Sequence, residues 1–136
     1  MAAPGYSGTP LAAKLGVKAE SVLRLVSAPP EAEEWLAPLP PGVTVRRGGA
    51  LRADVVLLFT TSRADLAKRI DALGAAVFPA GSLWVAWPKK SSGVPTDLTE
   101  DVLREVALPL GLVDNKVCAV TDVWSGLRLV WRKERR

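Results

Sequence analysis

A cluster of basic and hydroxyl side chains follows an apolar stretch near the middle of the chain, in the sequence WPKKSSG (residues 87–93). Lys89 and Lys90 supply positive charge, and Ser91 and Ser92 supply hydroxyl groups. A loop of this composition suits a phosphate or carboxylate group, but it lacks the glycines that precede the lysine in a Walker-type loop. The sequence therefore indicates a candidate anion-binding loop, with an ordinary basic turn as the alternative.

A second candidate loop, Thr61-Ser62-Arg63, follows an earlier apolar run. In open parallel sheets, ligands bind beyond the carboxyl ends of the strands, near the point where the strand order reverses. If the two apolar runs are parallel strands of one sheet, Arg63 lies on the same rim as Lys89 and Lys90. The structural alternative is that Ser62 only caps the helix that follows.

The chain contains no histidine and one cysteine, Cys118. Histidine is the usual general base near neutral pH and the commonest metal ligand, so Ser-His-Asp and Cys-His centres are impossible within this chain and no metal site is predicted. The apolar residues around Cys118 predict a buried, inert thiol. The cofactor, if there is one, stays unknown from the sequence.

The formal net charge is +4, of which the C-terminal tail 132–136 alone contributes +3. The rest of the chain lacks the broad basic surface of a dedicated DNA-binding protein. Contact with nucleic acid through the tail is a weaker alternative. No signal peptide and no apolar run long enough to span a membrane are evident, which predicts a soluble, cytoplasmic protein.

The 136 residues suit a single α/β domain, with residues 1–8 as a flexible N-terminal tail. Apolar and amphipathic segments predict strands at 21–26, 43–47, 54–60, 81–87, 116–124 and 127–133, alternating with helices at 10–15, at 31–36, after residue 62 and from residue 97. This alternation predicts a three-layer Rossmann-like sandwich with a mainly parallel sheet of five or six strands. A C-terminal hairpin, turning at Ser125-Gly126, would add an antiparallel strand.

The five tryptophans raise the possibility of a base-stacking surface. Trp84 and Trp87 are three residues apart on one predicted strand, so they point to opposite faces and favour core packing. Trp124 and Trp131 flank the predicted hairpin turn and are expected to meet across it.

No acidic residue is singled out as a catalytic base by its spacing. Asp54 begins a strand, Asp65 and Asp97 are expected to cap helices, and Asp122 lies near the hairpin turn. The segment Tyr6–Thr9 is expected to be a frayed terminus, with a lid over the rim as the alternative.

The order of elements in the last two thirds of the chain resembles the later half of class I methyltransferases. That resemblance implies a cofactor, S-adenosylmethionine, held on a glycine-rich turn above the first strand. Here the first strand is followed by SAPPE (residues 27–31), and no glycine occurs between Gly16 and Gly42. The resemblance therefore supports the fold and argues against ordinary methyl transfer.

Four blocks resemble an uncharacterised actinobacterial family of unknown function: GYSGTPLAAKLG, ADVVLLF, LWVAWPKKSSGVPTDLTEDV and VCAVTDVWSGLRLVWRK. This resemblance implies a small bacterial cytoplasmic protein and brings no activity, cofactor or catalytic residue.

Two hypotheses follow. The first is a non-catalytic binding or regulatory module that holds an anionic metabolite or an acidic partner at the rim. The alternative is a divergent methyltransferase-like enzyme with an altered cofactor pocket over Ala28 and Thr60. A homodimer through the edge of the C-terminal hairpin is a further expectation, because unpaired strand edges seek partners.

Overall fold

The computed structural model describes residues 9–136, so the predicted flexible tail 1–8 lies outside the described residues. The strands are β1 (Val22–Val26), β2 (Thr44–Arg47), β3 (Val55–Phe59), β4 (Ser82–Pro88), β5 (Leu112–Ala119) and β6 (Trp124–Trp131). The helices are α1 (Leu11–Lys14), α2 (Ala32–Leu36), α3 (Arg63–Val77) and α4 (Glu100–Ala107).

The strands form one six-stranded sheet in the order β2-β1-β3-β4-β6-β5. The first four strands are parallel, β6 is antiparallel to β4, and β5 pairs antiparallel with β6 at the outer edge. This mainly parallel sheet with a C-terminal hairpin confirms the predicted α/β fold class.

Two apolar cores lie on the two faces of the sheet, which makes the molecule a three-layer sandwich. One core packs α3 and α4 against the sheet and contains Leu66, Ile70 and Leu103. The other packs α1 and α2 and contains Leu15 and Trp35. The central strands β3 and β4 are buried along their whole length because helices cover both faces.

The predicted hairpin turn at Ser125-Gly126 is wrong. Gly126 lies inside β6, paired with Ala86 of β4. A Cβ atom there would lie 3.0 Å from Val120 and 3.2 Å from the Trp84 ring, so glycine is needed for close packing rather than for a turn. The chain reverses instead at residues 120–123.

That reversal is held by Thr121, a residue whose side chain can mimic a backbone turn. The Thr121 hydroxyl accepts hydrogen bonds from the backbone N–H groups of Val123 and Trp124, both at 3.1 Å. The N–H of Val120 donates to the Trp124 carbonyl and closes the hairpin.

The expected pairing of Trp124 with Trp131 is also wrong, because both residues belong to β6, seven positions apart. Trp124 packs edge-on against Phe59, and Trp131 packs edge-on against Phe78. An odd separation on one strand sends the two rings to opposite faces.

By the same rule Trp84 and Trp87 enter different cores, which confirms the prediction of core packing.

Within residues 9–136, no helix has the length and apolar character needed to cross a membrane.

Candidate functional site

The strand order reverses between β1 and β3, which are neighbours in the sheet although β2 lies between them in sequence. In folds of this kind the crevice at such a reversal, outside the carboxyl ends of the strands, is the usual ligand site. The loops that leave β1, β3 and β4 border this end of the sheet. Together with Arg63, the first residue of α3, they are called the carboxyl-end rim, made of residues 27–31, 60–63 and 89–99.

Two hydrogen bonds join the loops that leave β3 and β4. The Thr96 hydroxyl donates to the Thr61 carbonyl at 2.7 Å, and the Arg63 N–H donates to the Asp97 carboxylate at 2.8 Å. Asp97 therefore caps α3, while α4 is capped by Thr99. The expectation that Asp97 caps the helix it precedes is wrong, because its side chain reaches across to the neighbouring element.

Ser62 and Arg63 have structural partners in the rim. The Ser62 hydroxyl accepts the N–H of Asp65 at 3.0 Å and caps α3 as predicted. The Arg63 guanidinium donates to Glu105 of α4 at 2.7 Å. Its charge is therefore partly neutralised, and the candidate site receives less from Arg63 than its residue type suggested. Thr61 is exposed beside it.

The Lys89–Ser92 loop is a short, well-anchored turn. The Lys89 N–H donates to the Val123 carbonyl at 2.7 Å, which fastens the loop to the turn between β5 and β6. The Ser92 hydroxyl donates to the Lys89 carbonyl at 2.6 Å, and Gly93 ends the turn in the left-handed region at φ 77°.

Lys90 and Ser91 are exposed and Lys89 is half-buried. Among the described residues, neither lysine makes an ion pair with an acidic side chain.

A hydrogen-bond network that the sequence did not predict spans the crevice between β1 and β3. Arg69 of α3 donates to the Ser27 hydroxyl at 2.8 Å and to Asp65 at 3.0 Å. The Thr60 hydroxyl donates to the same Asp65 carboxylate at 2.7 Å. Asp65 therefore orients Thr60 and Arg69. Among the described residues its carboxylate accepts no backbone N–H at the start of α3, so the expectation that Asp65 caps this helix is wrong. The four-residue spacing of Asp65 and Arg69 is the one sequence signal for this network.

Arg47 fastens the loop that follows β1. Its guanidinium donates to the backbone carbonyls of Ala28 at 3.0 Å and Pro29 at 2.9 Å. It also donates to Glu33 of α2 at 2.8 Å, and this hydrogen bond lowers the pKa of the Glu33 carboxyl group below its ordinary value. The loop is therefore tied to both β2 and α2. Phe59 at the end of β3 packs against the rings of both Trp35 and Trp124.

The remaining sequence candidates lie away from the rim or outside the described residues. Asp54 accepts the Val22 N–H at 2.8 Å at the opposite, amino-terminal ends of the strands. Asp122 is exposed in the turn between β5 and β6. Cys118 is half-buried, and this burial raises the pKa of its thiol against a smaller opposing effect of nearby lysines. Tyr6 and Ser7, which belong to the possible lid, lie outside the described residues.

Comparison with solved structures identifies the architecture. A SAM-dependent methyltransferase from Aquifex aeolicus matches with a TM-score of 0.59 and 12% identity, over 86% of this chain and 85% of that one. Magnesium protoporphyrin IX methyltransferase (ChlM) from Synechocystis PCC 6803 matches with a TM-score of 0.56 and 12% identity, over 90% of this chain and 74% of that one. The fold is methyltransferase-like.

The same architecture occurs outside proteins described as methyltransferases. A possible exported protein from Bordetella parapertussis matches with a TM-score of 0.63 and 11% identity, over 90% of this chain and 66% of that one. At such identities the likeness establishes the fold and transfers no activity. No family model matches the sequence, and no curated protein sequence matches it.

Proposed function

We propose that this protein is a non-catalytic binding or regulatory module on a methyltransferase-like fold, which holds an anionic metabolite or an acidic partner segment at the carboxyl-end rim. One observation carries the proposal. Lys89 and Lys90 stand on the rim without an acidic partner among the described residues, on a loop fixed by its own hydrogen bonds.

The fixed backbone of this loop favours binding of an anion. A lysine side chain is a flexible point charge, and two adjacent ones on a mobile loop would lose much conformational freedom on binding. Here the Lys89 N–H and carbonyl are both bonded, so the backbone under the two ammonium groups is already ordered. The exposed hydroxyls of Thr61 and Ser91 are further hydrogen-bond donors within the rim.

The β1–β3 crevice favours a non-catalytic module over an ordinary methyltransferase. The Arg69–Ser27 hydrogen bond crosses it, and Arg47 occupies the carbonyls of the loop after β1. No glycine stands in that loop to let a backbone approach a nucleoside closely. A proline pair follows Ala28, and the chain has no histidine to act as a base.

A divergent methyltransferase-like enzyme is the alternative, and the shared fold favours it. It requires the Arg69 network to open and admit S-adenosylmethionine over Ala28 and Thr60. In this alternative Asp65 or a lysine is the base.

Further expectations from the sequence stay predictions. They are a bacterial cytoplasmic location, membership of the actinobacterial family, weak nucleic-acid contact through residues 132–136, and a homodimer through the exposed edge of β5.

Thermal-shift and calorimetric titrations test the proposal. The probes are polyphosphate, sugar phosphates, nucleotides and S-adenosylmethionine, applied to the wild type, to Lys89→Ala/Lys90→Ala, and to Lys68→Ala/Lys133→Ala. The last variant removes the same charge from exposed positions on α3 and the tail. A ligand at about 100 times its dissociation constant stabilises the fold by about 2.7 kcal/mol, a shift of several degrees.

The expected result is an anionic probe whose stabilisation is lost in Lys89→Ala/Lys90→Ala and kept in Lys68→Ala/Lys133→Ala. Equal losses in the two variants would indicate general attraction to a basic protein and would refute the rim site. Binding of S-adenosylmethionine that survives the rim variant would favour the enzyme alternative.

A further inference from the structure

A separate cavity of about 380 Å³ lies at the amino-terminal ends of the parallel strands. The carboxyl-end rim lies at the opposite ends of the same strands. Its walls are the segment between α1 and β1, the residues that enter β3 and β4, and the side chain of Arg128 from β6. This volume falls at the lower end of the range for small-molecule sites.

Two hydrogen bonds and one close backbone contact hold the cavity walls in place. The indole N–H of Trp84, a fully buried residue, donates to the Leu15 carbonyl at 2.9 Å and fixes the start of the segment between α1 and β1. The Ser21 hydroxyl donates to the Lys18 carbonyl at 2.7 Å and fixes its end. At Gly81 a Cβ atom would lie 2.6 Å from the Asp54 carbonyl, so the wall at β4 is closely packed.

Arg128, which lines this cavity, has an unmet hydrogen bond. It pairs with Trp84 across the β4–β6 ladder, which places both side chains on the same face of the sheet. Its Nε atom is buried and has no hydrogen-bond partner among the described residues. A buried donor without an acceptor is costly, and more so when it belongs to a charged group. The guanidinium therefore needs an acceptor that the described chain does not supply.

The charges around the cavity indicate the kind of acceptor. Three cations line it, Lys18, Arg52 and Arg128. Among the described residues, Lys18 and Arg128 make no ion pair, and Arg52 lies 3.8 Å from the Asp54 carboxylate.

The two acids of the lining, Asp54 and Glu20, make no ion pair with Arg128 among the described residues. The second oxygen of Asp54 is taken by the Val22 N–H, and the Glu20 side chain lies against Gly42. Because neither acid is placed to neutralise Arg128, the cavity offers net positive charge and a free guanidinium fork, which matches a carboxylate or phosphate group.

We infer that this cavity binds a small metabolite carrying a carboxylate or phosphate group, with Arg128 as its principal ligand and Arg52 and Lys18 as supporting charges. The site shares no residue with the carboxyl-end rim. An experiment can therefore refute anion binding in this cavity without refuting anion binding at the rim, and the reverse.

The test follows backbone amide chemical shifts during titration with inorganic phosphate and, separately, with citrate. The wild type is compared with Arg128→Met, which keeps the length of the stem and removes the unmet donor. Arg132→Met is the control of equal charge, since Arg132 is exposed on the C-terminal tail. Arg52→Gln is a second variant. It is expected to fold like the wild type, because the Arg52 side chain is 73% exposed.

The expected result is that at least one probe shifts the amides of Ser21, Gly81 and Ser82 more than those of residues 89–93. Arg128→Met weakens this binding by about tenfold or more, Arg52→Gln weakens it less, and Arg132→Met leaves it unchanged. The probe that binds tells carboxylate from phosphate. Arg128→Met is also expected to melt no lower than the wild type without ligand, since it removes an unpaired buried donor.

Two outcomes overturn the inference. One is that neither probe shifts the amides that line the cavity. The other is that Arg132→Met weakens binding as much as Arg128→Met, which would mean general attraction of anions to a basic chain.

Discussion

Arg69 of α3 donates a hydrogen bond of 2.8 Å to the hydroxyl of Ser27, although the two residues are 42 positions apart in the sequence. The bond crosses from one side of the β1–β3 reversal to the other. Arg69 also holds Asp65, which in turn holds Thr60. The crevice that would take a ligand in many folds of this kind is therefore bridged by the protein's own side chains.

Ser27 adopts a left-handed backbone conformation at φ 54°, which is unfavourable for any residue with a Cβ atom by roughly 1–2 kcal/mol. Ser27→Gly should relieve this strain while losing the bond to Arg69, so the two effects nearly cancel. Ser27→Ala loses the bond and keeps the strain, and should lower the free energy of unfolding by about 1 kcal/mol. Urea denaturation measures the stability of both variants. A Ser27→Gly variant that is less stable than Ser27→Ala would contradict the left-handed conformation of Ser27.

Asp97 ties the loop after β4 to the start of α3 through the Arg63 N–H. Asp97→Ala should lower the free energy of unfolding by about 1 kcal/mol, as loss of a helix cap does, while Asp97→Asn should keep most of it because asparagine caps equally well. Asp122→Ala removes the same charge from an exposed turn and is the control. Equal melting temperatures of the two alanine variants would refute the cross-element cap.

Gly126 faces the Trp84 ring from inside β6. Gly126→Ala should destabilise the protein by roughly 1–3 kcal/mol, because the new methyl group overfills a packed core. The neighbouring Ser125→Ala has no such clash to create and should change little. The two denaturation midpoints decide the matter, and an unchanged midpoint for Gly126→Ala would show that the ring can move aside.

The hydrophobic pattern was sufficient to predict the central sheet. β3 and β4 are continuous apolar runs, and such runs are typical of strands covered on both faces. The Ser62 cap of α3 follows a local rule, so it was predictable from its own neighbourhood. The Ser125-Gly126 hairpin was not, because a glycine needed for close packing and a glycine needed for a turn look alike in sequence.

The candidate site was predictable only in part, since its partners come from distant segments. The loops that leave β3 and β4 could be placed together from the topology alone. The ion pair between Arg63 and Glu105 and the bond between Arg69 and Ser27 each join residues 42 positions apart, with no spacing rule to reveal them. These two contacts decide how much charge and space the rim retains.

Cys118 is half-buried on β5, and burial raises the pKa of its thiol. The thiolate is the reactive form, so alkylation by iodoacetamide at pH 8 should be slower than for a cysteine in an unstructured peptide. The rate should also keep rising at pH values where the peptide has levelled off. The urea-unfolded protein is the control. A native profile that levels off at or below the pH of the unfolded one would contradict the effect of burial.

Glu33 is held as a carboxylate by Arg47, which lowers its pKa below the ordinary value of 4.5. A lowered pKa in the folded state means that the carboxylate stabilises the fold above the unfolded pKa, and that this stabilisation is lost as the pH falls through the folded value. Glu33→Gln should therefore be less stable than the wild type at pH 7, and the difference should shrink progressively below about pH 4.5. The effect should be small and sensitive to salt, because the pair is exposed to solvent.

Glu34→Gln, at an exposed neighbouring position, is the control, and thermal denaturation from pH 3 to 7 is the measurement. A difference between Glu33→Gln and the wild type that persists unchanged into acid would mean that the substitution acts through packing and not through the charge held by Arg47.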